Sequence, residues 1–143
     1  MTKKDIVLET LQGLTRNGRI RPEDVVEEAR ETKSPLHKYF QWDDGLAAQE
    51  YRLWQSRQLI TYKFKVDGTK EQQYYNVRVV VNKIPTQGYF TKEKVLSSKK
   101  MYIQVLKDAI IEIKYWERKY NQIRELGGIV NQDKLKEIEK KLG

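Results

Sequence analysis

Residues 60–82, ITYKFKVDGTKEQQYYNVRVVVN, decide the fold, because the hydrophobic pattern changes its period here. Apolar and polar residues alternate over 60–66 and again over 75–81. Alternation with a period of two is typical of strands that are buried on one face. Two such strands in succession predict an antiparallel β-hairpin.

The register of this hairpin depends on two competing signals. The Asp-Gly pair at 67–68 favours a two-residue turn, which places Phe64 opposite Glu71. Pairing Val66 with Tyr75 instead matches apolar residues along the whole ladder. Because a buried face specifies register strongly, we predict the second arrangement, with a long tip.

Helical patterns precede the hairpin. A first helix begins near Asp5. Pro22 suits the first turn of a second helix, because its missing N–H has no partner there. A third helix is expected over residues 45–59, and residues 19–21 predict one short strand between the first two helices.

The C-terminal part is predicted to be helical. After a brief edge strand at 89–91, a long helix over about 98–126 and a short amphipathic helix over about 131–142 are expected. The long helix has a heptad seam, which predicts either an oligomer interface or an internal core face. The seam residues predicted to assemble subunits are Leu106, Ile113, Trp116, Tyr120 and Ile123.

This order of elements predicts an α+β fold. We expect a winged-helix-like domain over residues 1–91, including the basic hairpin, followed by a helical segment over 92–143. Residues 34–44, SPLHKYFQWDD, depart from that pattern. They form an insertion where a helix-turn-helix has a turn of about three or four residues.

The composition favours a soluble protein. The chain has 143 residues and no cysteine, which excludes disulfides and thiolate chemistry and suits a reducing cytoplasm. No apolar run approaches the ~20 residues of a membrane span, and no signal peptide is recognisable. We therefore expect a cytoplasmic protein that does not enter a membrane.

The net charge of +8 is concentrated in the middle of the chain. Residues 1–60 are neutral, whereas residues 61–100 have nine basic and three acidic side chains. Such a basic patch is typical of a polyanion-binding protein, and we predict nucleic acid, specifically double-stranded DNA, as the partner. The alternative is a lysine-rich surface that only keeps the protein soluble.

Two surfaces are candidates for nucleic-acid contact. The outer face of the hairpin combines lysine with tyrosine, which suits phosphate contact and stacking, although lysines also protect sheet edges. The third helix has side chains of the types that bond bases and phosphates; its alternative is a solvated helix with Tyr51, Trp54 and Leu59 buried. The predicted nucleic-acid-binding residues are Lys63, Lys65, Lys70, Tyr74, Arg78, Lys83, Arg52, Gln55 and Arg57.

Catalysis is not expected. His37 is the only histidine, and the nearby Asp43 and Asp44 are better explained as caps of the third helix than as acid–base partners. One histidine with two adjacent carboxylates also falls short of the usual metal-ligand set. We predict no catalytic residue, no cofactor and no metal site.

The stretch SPLHKYFQWDDGLAAQEYRLWQSRQLI, residues 34–60, resembles a motif of a group of small phage and prophage proteins. The resemblance extends over about residues 20–126 and implies a viral or mobile-element origin, without a particular activity. Together these features predict a non-enzymatic DNA-binding protein that forms homo-oligomers, either a regulator or a DNA-transaction accessory. The alternative is an adaptor or inhibitor that binds a host protein.

Overall fold

The computed structural model describes residues 2–45 and 48–143, and these form a mixed α+β fold. Short 3-10 turns lie at His37–Tyr39 and Arg124–Leu126. The helices are α1 (Lys3–Leu14), α2 (Pro22–Arg30), α3 (Ala48–Ile60), α4 (Lys92–Ser97), α5 (Lys99–Tyr120) and α6 (Gln132–Leu142). The strands are β1 (Arg19–Ile20), β2 (Lys63–Val66), β3 (Thr69–Gln72), β4 (Tyr74–Val81) and β5 (Ile84–Thr91).

Several helix starts follow from local sequence chemistry. The Thr2 hydroxyl accepts from the Asp5 N–H, and the Asp5 carboxylate accepts from the Thr2 N–H, so the two form a capping box for α1. Pro22 opens α2, and the Ser98 hydroxyl caps α5. The predicted start of α3 includes residues 46–47, which lie outside the described residues.

The strands form two separate sheets. The larger sheet has the order β1-β5-β4, and β2 pairs only with β3 in a two-stranded ribbon. The predicted edge strand at 89–91 is therefore wrong in position, because β5 runs from Ile84 to Thr91 and lies between β1 and β4. The larger core cluster lies among α1, α2, α3 and β1, and it also includes Leu36, Phe40, Phe64 and Tyr74.

The predicted hairpin over 60–82 does not form. Asp67 and Gly68 both have positive φ and make the two-residue turn of the ribbon, so Phe64 faces Glu71. Local turn chemistry wins over hydrophobic matching here because the apolar face of β4 has another partner. Strand β4 pairs along its edge with β5, and its apolar face packs on α4 and α5 through Val77.

A second two-residue turn joins β4 to β5. Asn82 and Lys83 have φ of 52° and 66°, the backbone of a type I′ turn, although no glycine marks the position. Pro85 follows two residues later and pairs with Val80. At this non-hydrogen-bonded position its nitrogen points away from β4, beyond the end of β1, so the missing N–H costs no ladder bond.

Helix α5 is fixed along the outer edge of β4 by side chains. The Gln104 amide oxygen accepts from the Arg78 N–H at 2.5 Å, and its nitrogen donates to the Asn76 carbonyl at 3.2 Å. The Lys100 ammonium donates to the Val80 carbonyl at 2.9 Å.

No helix within residues 2–45 and 48–143 is both long and apolar enough to cross a bilayer.

Tyr74 joins the sheet to α1 through one buried hydrogen bond. Its hydroxyl lies 2.6 Å from the Thr15 hydroxyl, which itself donates to the Leu11 carbonyl at 2.9 Å. Because a threonine hydroxyl has a single proton, Tyr74 is the donor. Burial raises the pKa of Tyr74, and the nearby Glu93 raises it further.

We expect Tyr74→Phe to lower the free energy of unfolding by about 1 kcal/mol at neutral pH, because Thr15 loses its donor. The folded-state pKa of Tyr74 lies above the ordinary value of 10.0. Its contribution is therefore complete below that value and is lost as pH rises through the folded-state pKa. Urea unfolding across alkaline pH measures both effects. Tyr75→Phe is the control, and identical alkaline limbs in the two variants would contradict this role of Tyr74.

Candidate nucleic-acid interface

A buried arginine organises residues 34–44, which lead into α3 and which we call the linker. Arg52 is only 4% exposed, and its Nε donates to the Gln41 carbonyl at 2.9 Å. Its terminal nitrogen contacts the Asp44 carboxylate at 3.0 Å, and the guanidinium stacks over Trp42 at 4.9 Å from the ring centroid. Arg52 therefore holds the linker against the inner face of α3. The predicted base contact by Arg52 is wrong, because the side chain is buried and both Nε and one terminal nitrogen are bonded to the linker.

The linker also engages Gln55, another predicted contact residue. The Gln55 side-chain oxygen accepts from the Gln41 N–H at 3.1 Å, and its nitrogen donates to the Tyr39 carbonyl at 3.4 Å. Gln55 is half-buried. Its amide therefore stabilises the linker, and both of its polar atoms are bonded there rather than turned toward a base as predicted.

This arrangement determines which face of α3 is buried. Arg52, Ser56, Leu59 and Ile60 form the inner stripe. Tyr51 and Trp54 lie on the outer side, 45% and 53% exposed. The alternative in which these two aromatics are buried is therefore wrong, and Arg57, the remaining predicted contact residue of α3, is exposed.

The histidine and the two aspartates of the linker have separate structural contacts. His37 Nδ1 lies 2.8 Å from the Ala29 carbonyl oxygen, and its ring stacks on Trp42 at 5.0 Å. Asp43 accepts from the Gln41 amide at 3.0 Å, while Asp44 pairs with Arg52. Within the described residues, no group of three or more His, Asp or Glu side chains is placed to hold a metal ion.

The predicted basic hairpin face is divided between two hairpins. Lys63, Lys65 and Lys70 are exposed on the β2–β3 ribbon, where Lys65 lies directly opposite Lys70. Like charges at facing positions destabilise a ladder unless an anion lies between them. Arg78 and Lys83 are exposed on the β4–β5 hairpin instead.

Tyr74 does not belong to either exposed surface. Its side chain is 1% exposed, lies in the larger core and bonds Thr15. The predicted role of Tyr74 in stacking on bases is therefore wrong. Tyr74 shares a face of β4 with Asn76 and Arg78, but it lies at the first position of the strand, where the core residues of the helices cover it.

A groove between the helices and the larger sheet brings arginines from three elements together. We call it the arginine groove. Its lining includes Arg19 of β1, Arg21 at the start of α2 and Arg57 in the last turn of α3. Glu23 is the one acidic side chain among the lining residues in the described part of the chain, 3.8 Å from Arg21.

The β4–β5 hairpin forms the other wall of the arginine groove. Asn76 and Gln87 line it, and Arg78 lies opposite Gln87 on the same face of the ladder. Arg19 is partly engaged, since it donates to the Gln87 carbonyl at 2.5 Å and covers Gly88. A Cβ on Gly88 would lie 2.6 Å from Arg19 Nε, so glycine lets the arginine cross the sheet here.

Sequence reasoning missed Arg19 and Arg21. Residues 19–21 predict only a strand, because their charges are balanced by acidic residues elsewhere in 1–60. The available signal is the pattern of two arginines flanking one buried isoleucine beside a helix start. A summed charge over a long segment does not detect such a local group.

The heptad seam is partly covered within the chain. Helix α6 returns antiparallel along α5, with Lys114 bonded to Glu139 at 2.8 Å and Gln132 bonded to Glu117. Of the predicted assembly residues, Leu106, Trp116 and Tyr120 are half-buried, while Ile113 and Ile123 are exposed. The predicted helix also ends early, at Tyr120, so Ile123 lies in the following turn.

Comparisons with known proteins give no relative for this chain. No protein-family model, curated protein or solved structure matches it significantly.

We expect Arg52→Met to lower the free energy of unfolding by about 2–4 kcal/mol, because the linker carbonyls lose charged donors. Arg52→Lys should recover only part of this loss, since an ammonium lacks the planar fork of the guanidinium. Urea denaturation measures the difference. Arg57→Met is the exposed control in the same helix, and equal losses at both positions would contradict the role of Arg52.

Proposed function

We propose that residues 2–91 form a winged-helix domain with one inserted ribbon. The order α1, β1, α2, α3, β4, β5 and the sheet order β1-β5-β4 support this assignment. In it, α3 is the recognition helix and the β4–β5 hairpin is the wing. The β2–β3 ribbon is the insertion, between α3 and the wing.

We further propose that the protein binds DNA without catalysing a reaction, as a regulator or accessory of phage or prophage DNA transactions. The observation that carries this proposal is the arginine groove, where Arg19, Arg21 and Arg57 face the wing. Guanidinium groups pair with phosphates in a bidentate manner, so a cluster next to a recognition helix suits a DNA backbone. Arg78 and Lys83 extend the cationic surface along the wing.

The β2–β3 ribbon is a secondary contact in this proposal. Lys63, Lys65 and Lys70 lie on a separate hairpin from Arg78 and Lys83. A phosphate between Lys65 and Lys70 would relieve the repulsion across the ladder. Binding through the ribbon adds affinity without sequence information, because phosphate contacts do not distinguish bases.

Self-association through α5 is part of the same proposal. Ile111, Ile113 and Tyr115 are exposed on this helix, and Ile123 follows it, so an apolar surface remains beside the face that α6 covers. Two DNA-binding domains joined in this way would bind two sites at once, which raises the effective concentration of the second domain.

The DNA interface is tested by two variants with equal changes of charge. The groove variant is Arg21→Gln/Arg57→Gln/Arg78→Gln, and the ribbon variant is Lys63→Gln/Lys65→Gln/Lys70→Gln. We expect the groove variant to lose more affinity for duplex DNA at low salt. The slope of its plot of log K against log salt should flatten by about one for each phosphate that the variant no longer binds.

Salt-titrated fluorescence anisotropy with a random duplex measures both variants against the parent chain. A larger loss in the ribbon variant would contradict the groove as the main interface. No binding by the parent chain at low salt would contradict the DNA-binding function and favour the adaptor, in which the same cations meet an acidic protein surface.

We expect Ile113→Lys/Ile123→Lys to reduce the oligomeric state, because a charge at an apolar contact is left without a partner. Size-exclusion chromatography with light scattering measures the mass of each species. Leu96→Lys, at an exposed apolar position on α4, is the control. A parent chain that is already monomeric would contradict self-association through this surface.

A further inference from the structure

Helix α3 has polar side chains on its buried face and aromatic side chains on its exposed face, the reverse of the usual arrangement. The inner stripe includes the polar Arg52 and Ser56, whereas the outer side carries Tyr51 and Trp54. The two outer rings lie 5.8 Å apart at 49° and form one aromatic surface, which we call the aromatic pair. Isolated exposed aromatics are ordinary, but two adjacent rings on the recognition helix of a proposed nucleic-acid-binding domain require a reason.

The aromatic pair is next to the arginine groove. Trp54 and Arg57 are three residues apart, so they occupy neighbouring positions on the surface of α3. Arg57 in turn lines the groove with Arg19 and Arg21. Aromatic rings and cations therefore follow one another across a single surface, from α3 to β1.

We propose that the aromatic pair stacks on unpaired bases, so that the preferred ligand is DNA with a single-stranded segment. The phosphates of that segment lie in the arginine groove and its bases lie on Trp54 and Tyr51. Surfaces that bind single strands combine such a cationic track with exposed aromatic rings. In an intact duplex the bases are stacked on each other and their faces are covered, so flat rings on α3 would gain little there. This inference rests on the proposed DNA binding and adds a strand preference to it.

The test compares a single-stranded oligothymidine with a duplex of the same length, using fluorescence anisotropy at constant salt. We expect the parent chain to prefer the single strand. Trp54→Ala should weaken single-strand binding by about tenfold and change duplex binding much less, because the variant cannot stack on one base while it still binds the phosphates. Trp54→Phe, which keeps an aromatic face, should recover most of the affinity.

Tyr102→Ala is the matched control, since Tyr102 is an exposed aromatic residue on α5, away from the arginine groove. Circular dichroism melts of the three variants check that the fold is retained. If Trp54→Ala binds the single strand as tightly as Tyr102→Ala does, the stacking proposal is overturned while the DNA-binding function stands. Equal parental affinity for single strand and duplex also overturns it. If the parent chain binds neither probe, both proposals fail.

Discussion

The orientation of α3 depends on one buried guanidinium. Arg52 is held by carbonyl groups and a carboxylate of the linker and is covered by the ring of Trp42. A charged side chain is buried only where enough acceptors meet it, and the linker supplies them. The part that α3 plays in the proposed interface follows from this contact, because it places Arg52 on the core side of α3 and leaves Tyr51, Trp54 and Arg57 facing solvent.

The linker therefore has a structural role, which is to hold α3 in position against α2. Its histidine, tryptophan and aspartates all take part in contacts that close the segment against α2 and α3. His37 binds a carbonyl of α2 and stacks on Trp42, and the Trp42 indole N–H donates to the His37 carbonyl at 2.9 Å. The same residue types that suggest acid–base chemistry in the sequence here form hydrogen bonds and stacking contacts that hold the linker in place.

Much of the fold follows from local patterns, and the departures have identifiable physical causes. The helix starts at Pro22 and Ser98 depend on groups a few residues away, so the sequence contains them. The alternation of the sequence predicts strand β4 itself. It does not predict that β5 is the partner strand, because any strand with a similar apolar pattern could pair with β4. The turn at residues 82–83 has no glycine to mark it. When this turn is not recognised, the sequence favours the pairing of residues 60–66 with residues 75–81, which does not form.

The candidate site is harder to predict from the sequence than the fold is. The arginine groove joins side chains that are far apart in sequence, and only the tertiary arrangement brings Arg19 and Arg57 to one surface. The sequence also does not indicate that Trp54 faces solvent, because an apolar residue on a helix is normally assigned to the buried face. That rule fails on α3, since the linker provides hydrogen-bond acceptors for a polar residue on the inner side.

The contacts of Gln104 and Lys100 with β4 have a consequence for assembly. A bare edge strand offers its N–H and carbonyl groups to the strand of another molecule, and association can then proceed by extension of the sheet. On the outer side of β4, the Arg78 N–H and the Asn76 and Val80 carbonyls are already bonded to side chains of α5. This edge is closed to a further strand, so copies of the chain that associate near it must do so through helical surfaces.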